Sequence, residues 1–220
     1  IARHAQRVFV DARQCLDLAG LLGVETVCLT EHSFQLYFEP QTAWSFNWQT
    51  DPHLVQEAWT QRSGRMDAYR RFAAGLRAPT IRLGLEVDLC ANGRLLLAPE
   101  DRSGWDLLVG AIHALPGFVK GQTSPSEAEA LFLRDTERLL AGGVDVLAHP
   151  FRFFARAGLA RPTALYPVIA DLLKRYEVAV EINFHINRPD PLFLRACIER
   201  GVPIALGSDE KADNIMEDKP

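Results

Sequence analysis

The chain has 220 residues, with 24 Lys+Arg against 28 Asp+Glu and a formal charge of −4. That length suits one α/β domain with a sizeable core, and the mildly acidic balance argues against a nucleic-acid-coating protein, which would carry a basic footprint. No apolar run approaches the roughly 18–20 residues of a membrane span, and Ile1-Ala2-Arg3-His4 lacks the apolar stretch of a secretory signal.

Strand-like and helix-like segments alternate along the chain. Residues 11–22 carry apolar positions at helical spacing and stop at Gly23, before a strand over 24–30. Residues 33–60 break the rhythm. They hold Trp44, Trp48 and Trp59 with Phe34, Tyr37, Phe38 and Phe46, without clear periodicity. So aromatic a stretch disfavours disorder, and an irregular flap or lid over the strand ends is expected there. A helix follows over 61–77, a strand over 80–87 and another around 105–113. Ser124-Pro125-Ser126-Glu127 has the form of a helix cap and opens a helix running to Gly142. The remainder reads as strand 144–148, helix 163–176, strand 177–182, helix 190–200 and strand 202–207. This alternation predicts parallel strands with right-handed crossovers in a single domain over 1–220, the lid-like insertion at 33–60 included.

Several strands end on an imidazole or a carboxylate. Val27-Cys28-Leu29-Thr30-Glu31-His32, Leu83-Gly84-Leu85-Glu86-Val87-Asp88, Leu107-Leu108-Val109-Gly110-Ala111-Ile112-His113, Val144-Asp145-Val146-Leu147-Ala148-His149 and Ile204-Ala205-Leu206-Gly207-Ser208-Asp209 share that form. Strands buried on both faces read as continuous apolar runs, and in a barrel their C-terminal ends converge on one mouth. His32, Glu86, His113, His149 and Asp209 are therefore expected to meet there. Mixed imidazoles and carboxylates suit Zn²⁺, Mn²⁺ or Fe²⁺, and paired ions of this kind serve phosphoester hydrolysis. Arg152, after His149-Pro150-Phe151, would stand above the mouth, where a guanidinium can grip a phosphate with two hydrogen bonds. His53 reads as a surface or lid residue, and His185 lies beyond a further strand end. Cys15, Cys28, Cys90 and Cys197 show no CxxC spacing. Cys15, Cys28 and Cys197 read as small buried residues of a cytoplasmic protein, and Cys90 falls in a loop beside Glu86 and Asp88.

Taken together, Thr30-Glu31-His32, Gly84-Leu85-Glu86-Val87-Asp88, Gly110-Ala111-Ile112-His113, Ala148-His149-Pro150 and Gly207-Ser208-Asp209 resemble the PHP (polymerase and histidinol phosphatase) superfamily, especially its stand-alone histidinol-phosphatase-like members. The resemblance implies a distorted (β/α)7 barrel that binds up to three divalent ions, commonly zinc, manganese or iron. It also implies hydrolysis of a small phosphomonoester by metal-activated water. By that resemblance Glu86 bridges two ions and, with Asp209, stands at the reacting centre. His113 and His149 complete the ligands of one ion, and Asp209 belongs to the other. His32 binds the third ion with His4 as its companion, and Arg152 holds phosphate. Other phosphodiesterase or nuclease activities of the same barrel, and a degenerate barrel that binds metal or phosphate without turnover, are the alternatives.

Two departures accompany the resemblance. The family opens on a strand ending in His-x-His, and this chain begins about where that motif should end. The barrel is thus expected to be incomplete at its first strand, and the absent initiator Met favours a fragment. The family also usually reads Gly-Ser-Asp-Ala-His where this chain has Gly207-Ser208-Asp209-Glu210-Lys211. A lysine therefore stands in a ligand's place, and a protonated lysine cannot coordinate a cation.

Overall fold

The computed structural model describes residues 16–17, 19–76, 80–184 and 188–207. It contains six strands: β1 (Val27–His32), β2 (Ile81–Val87), β3 (Leu107–Gly110), β4 (Val146–Leu147), β5 (Ala179–Asn183) and β6 (Ile204–Gly207). They form one parallel sheet in the order β1-β2-β3-β4-β5-β6. A parallel sheet that never reverses its order and keeps right-handed crossovers puts every connecting helix on the same side and curls toward a barrel. Among the described residues β1 and β6 are its two edges, so the fold is an incomplete (β/α) barrel of the expected kind.

The register separates two faces, because paired residues of parallel strands point the same way. Leu29, Leu83, Leu85, Leu108, Gly110, Leu147 and Val180 lie on the helix side. Leu85, Leu147 and Val180 are essentially inaccessible to solvent. Each contributes on the order of 1.5–3 kcal/mol by leaving water. His32, Glu86, Val109, Val146, Ala179, Glu181 and Asn183 lie on the inner side. Gly110 is where the largest of the crossover helices touches the sheet: a Cβ there would come within 2.8 Å of Leu139. Gly84 has less room still, since a Cβ would stand 2.3 Å from the Leu107 carbonyl oxygen.

Two strands begin on an aspartate that clamps the neighbouring strand. Asp106 accepts the Leu83 amide through Oδ2 at 3.0 Å, and Asp145 accepts the Leu108 amide through Oδ2 at 2.7 Å. These bonds satisfy backbone donors at the end of the sheet opposite the cluster described below. They also explain how β4, only two residues long, is held in place: its flanks bond on both sides, Asp145 N to Leu108 O and Ala179 N to Asp145 O.

The helices are α1 (Ser33–Tyr37), α2 (Pro40–Ser45), α3 (Pro52–Gln61), α4 (Arg65–Gly75), α5 (Pro125–Ala141), α6 (Arg152–Ala157), α7 (Tyr166–Arg175) and α8 (Pro191–Glu199). The expected cap of α5 is present: Ser124 Oγ accepts the Glu127 amide and the Glu127 carboxylate accepts the Ser124 amide at 2.8 Å. Of the helix expected over 11–22, residues 16, 17 and 19–22 are described, and all but residue 22, which lies in the closing turn, are helical. It ends at Gly23 with φ 69°, as a glycine stop requires. No helix of the described residues is long and apolar enough to cross a membrane.

The structure corrects the reading of 33–60 as an irregular flap. The segment is three short helices with a 3₁₀ turn (Asn47–Gln49) between the second and third. Phe34 and Trp48 are fully buried, and the Trp48 indole donates to Ala43 O at 3.0 Å. In α1 four of five residues are buried, so no polar face exists to reveal a helical period. Cys90 and Cys197 are buried and Cys28 half-buried, all as free thiols. Burial pushes the Cys28 thiol up to about 11 and the Cys197 thiol up to about 12.

Candidate metal centre

Glu86 is the next-to-last residue of β2, on the inner face, and it is buried. The register sets His32, the last residue of β1, directly beside it. His113 follows β3 by three residues and His149 follows β4 by two, so parallel strands carry all three imidazoles to the same end of the sheet. The result is one carboxylate ringed by histidines. Glu86 Oε1 lies 3.3 Å from His113 Nε2 and 3.1 Å from His149 Nε2, and Glu86 Oε2 lies 3.5 Å from His32 Nδ1. The rings of His32 and His113 are 5.1 Å apart, and those of His113 and His149 are 5.0 Å apart.

A tetrahedral ion about 2.1 Å from each of its donors sets those donors about 3.4 Å from one another. The Glu86–histidine separations match that spacing. His32, Glu86 and His113 each offer one ligand atom, and these atoms lie within 4.8 Å of one another. The residues therefore fit a divalent cation such as zinc, manganese or iron. The two oxygens of Glu86 face different imidazoles, as a carboxylate shared between ions would. The resemblance assigns His32 to a third ion, and the structure sets its ring beside Glu86 and His113. Of the residues singled out from the sequence, His4, Asp209, Lys211 and His185 lie outside the described residues. His53 is on the surface, its amide bonded to the α3 capping residue Asp51 at 2.8 Å.

Two carboxylates that carry no role in the sequence reading brace this cluster. Asp88 is completely buried two residues beyond Glu86 and faces the other nitrogen of His113, with Nδ1 3.0 Å from Oδ2 and 3.1 Å from Oδ1. It also accepts the His113 amide at 3.2 Å. An ionised carboxylate only accepts, so Nδ1 carries a proton toward Asp88, and Nε2 is the nitrogen that would bind an ion once its own proton has left. Burial opposes charge on His113, but the charge of Asp88, its hydrogen bond and the charge of Glu86 outweigh that and the opposing Arg152. The imidazole is raised to about 9. The second carboxylate is Glu181 on β5, whose Oε2 accepts the His149 amide at 2.6 Å. Its signal in the sequence was a charge in the middle of the apolar strand Ala179-Val180-Glu181-Ile182.

His149 itself adopts φ 30° and Phe151 φ 68°, both rare for residues with a Cβ and costing on the order of 1–3 kcal/mol each. This paired reversal turns the chain from β4 straight into α6, whose first residue is Arg152. Arg152 is buried beside the cluster, and its Nη2 donates to Asn183 Oδ1 at 3.2 Å. A buried guanidinium needs anionic or acceptor partners, which makes it a natural holder of phosphate oxygens.

The aromatic segment closes one side. Phe34 stacks on His32 with centroids 4.8 Å apart, and Phe46 lies parallel to His113 at 6.1 Å. Trp44 meets His32 edge-on at 5.8 Å and remains 42% exposed, so it is the ring that a bound molecule could reach from solvent. An apolar wall of this kind lowers the local dielectric and strengthens every charge interaction inside.

Among comparisons with known proteins, the family model described as PHP domain matches residues 10–185. The matched span contains β1 to β5 and every member of the Glu86–histidine cluster. A search of curated proteins returns no match.

Proposed function

The chain belongs to the PHP domain family, and from that premise we propose that it is a metal-dependent phosphoesterase acting on a small phosphomonoester, as histidinol-phosphatase-like members do. The observation that carries this reading is the Glu86 carboxylate, with Oε1 toward His113 and His149 and Oε2 toward His32. Such a set holds divalent ions, which supply Lewis acidity toward phosphate oxygens and a water acidified toward neutral pH. By the family resemblance Asp209 and His4 join it.

The protein's own residues divide the remaining work. Asp88 fixes the tautomer and orientation of His113. Arg152 binds the non-bridging oxygens of the phosphate and orients it, steadied by Asn183. Phe34, Phe46 and Trp44 exclude water on one side, and Trp44 gives the alcohol portion of the substrate a surface to lie against. The net acidic charge disfavours long nucleic acid as the substrate.

Metal analysis of the purified chain together with hydrolysis of p-nitrophenyl phosphate tests the reading. Two or more divalent ions per chain and turnover abolished by chelation are expected. Glu86→Gln removes the bridging charge, and it should lower metal affinity and rate by at least about 100-fold. Full metal content and rate in that variant would refute the assignment. Lys211, in the place of a family ligand, favours a second reading in which the barrel binds metal or phosphate without turnover. A metal-loaded protein inert toward phosphomonoesters but stabilised by inorganic phosphate would select that reading.

A further inference from the structure

Glu181 is a carboxylate on the inner face of β5, a strand to which the family resemblance assigns no ligand. Its two oxygens reach opposite neighbours. Oε2 accepts the His149 amide at 2.6 Å, at a residue whose φ of 30° few side-chain-bearing residues adopt. Oε1 lies so close to Gly207 that a Cβ there would stand 1.7 Å away. The carboxylate therefore occupies the space a side chain at 207 would need, two residues before Asp209. On the other side of the turn, the His149 carbonyl accepts the Arg152 amide at 3.1 Å, so the His149 backbone is held from both directions.

We propose that Glu181 is a positioning residue of the metal centre: its charged hydrogen bond holds the main chain of His149 in the reversed turn that delivers the imidazole to Glu86. A charge-assisted bond to a backbone amide is about twice as strong as a neutral one and favours the backbone geometry that presents that amide. The same carboxylate sets the need for glycine at 207, which couples the end of β6 to the end of β4. This inference rests on the Glu86–histidine cluster being a metal site.

Cobalt(II) titration of the metal-stripped full chain, followed by visible absorption, tests it without any activity measurement. Glu181→Ala should weaken cobalt binding about 10–100-fold and alter the absorption bands, while Glu181→Gln, which keeps an acceptor oxygen, should recover most of the loss. In a His149→Ala background the Glu181→Ala change should have no further effect on cobalt affinity, because Glu181 acts through His149. Gly207→Ala, which pushes a methyl into the carboxylate and removes no charge, should reproduce the affinity loss even if Glu181→Ala fails to fold. Cobalt affinity and bands unchanged in Glu181→Ala, or equal additional loss in the His149→Ala background, would overturn the proposal alone. A wild-type chain that binds no cobalt would overturn the metal reading beneath it as well.

Discussion

The imidazole of His113 is held by two carboxylates at once, Asp88 at its Nδ1 and Glu86 at its Nε2, 3.0 and 3.3 Å away. Asp88 is fully buried, so its hydrogen bonds are made to His113 and not shared with water. Asp88→Asn keeps the shape but removes the charge and lets the amide nitrogen face the ring. Metal affinity should fall about 10–100-fold, read by isothermal titration with zinc or manganese. Unaltered affinity would mean that Asp88 is only a core residue.

The same pair sets a pH dependence in the metal-free protein. The folded-state value of His113 is raised from 6.5 to about 9. Its contribution to stability is therefore fully present below pH 6.5 and is lost as pH rises through about 9. Melting temperature in the presence of a chelator should fall across that interval. The fall should flatten in Asp88→Asn, because the partner that favours the charged ring has gone. A melting temperature that rises between pH 7 and 9 would contradict the assignment.

Trp44 is the half-exposed member of the aromatic wall, so removing it costs less packing than removing Phe34 or Trp48. Trp44→Ala should raise KM for aromatic phosphomonoesters severalfold and leave kcat within about twofold, since the surface binds substrate and transition state alike. Equal effects on glycerol phosphate and p-nitrophenyl phosphate would show that the ring does not touch the leaving group.

Gly84 marks the tightest approach between β2 and β3. Gly84→Ala forces a methyl toward the Leu107 carbonyl, and the backbone cannot swing aside as a side chain would. Destabilisation of about 1–3 kcal/mol is expected from urea unfolding. Glu86 is two residues away on the same face, so a parallel loss of metal affinity should accompany it.

Much of this arrangement could be read from the sequence because strands buried on both faces leave an unbroken apolar signature and end where polarity returns. That return is what put His32, Glu86, His113 and His149 in view. Boundaries moved by a few residues: β1 starts at Val27 and runs to His32 itself, and β4 shrinks to Val146–Leu147, although Asp145 and Ala148 on its flanks still bond to β3.

The features that escaped have physical reasons. α1 lost its amphipathic stripe because its residues are buried nearly all round, and α6 begins after two residues in a conformation that no propensity announces. Asp88 stood inside a recognised motif without an assigned role, yet it is the most deeply buried acid beside the cluster. Glu181 carried no assigned role either, although its carboxylate accepts the His149 amide. A lone charge within an otherwise apolar parallel strand was the available clue.

Asp106 and Asp145 clamp the sheet at the end away from the histidines. Stability and chemistry thus depend on different sets of side chains, set apart along the same strands. Exposed positions of the aromatic segment, such as Trp44, can accept substitutions that change which molecule fits without loosening the pairing that keeps the strands aligned. Natural variation or laboratory selection for a new substrate has its freest ground at such exposed rim positions, with the two aspartates and the buried Phe34, Trp48, Phe151 and Phe154 left as they are.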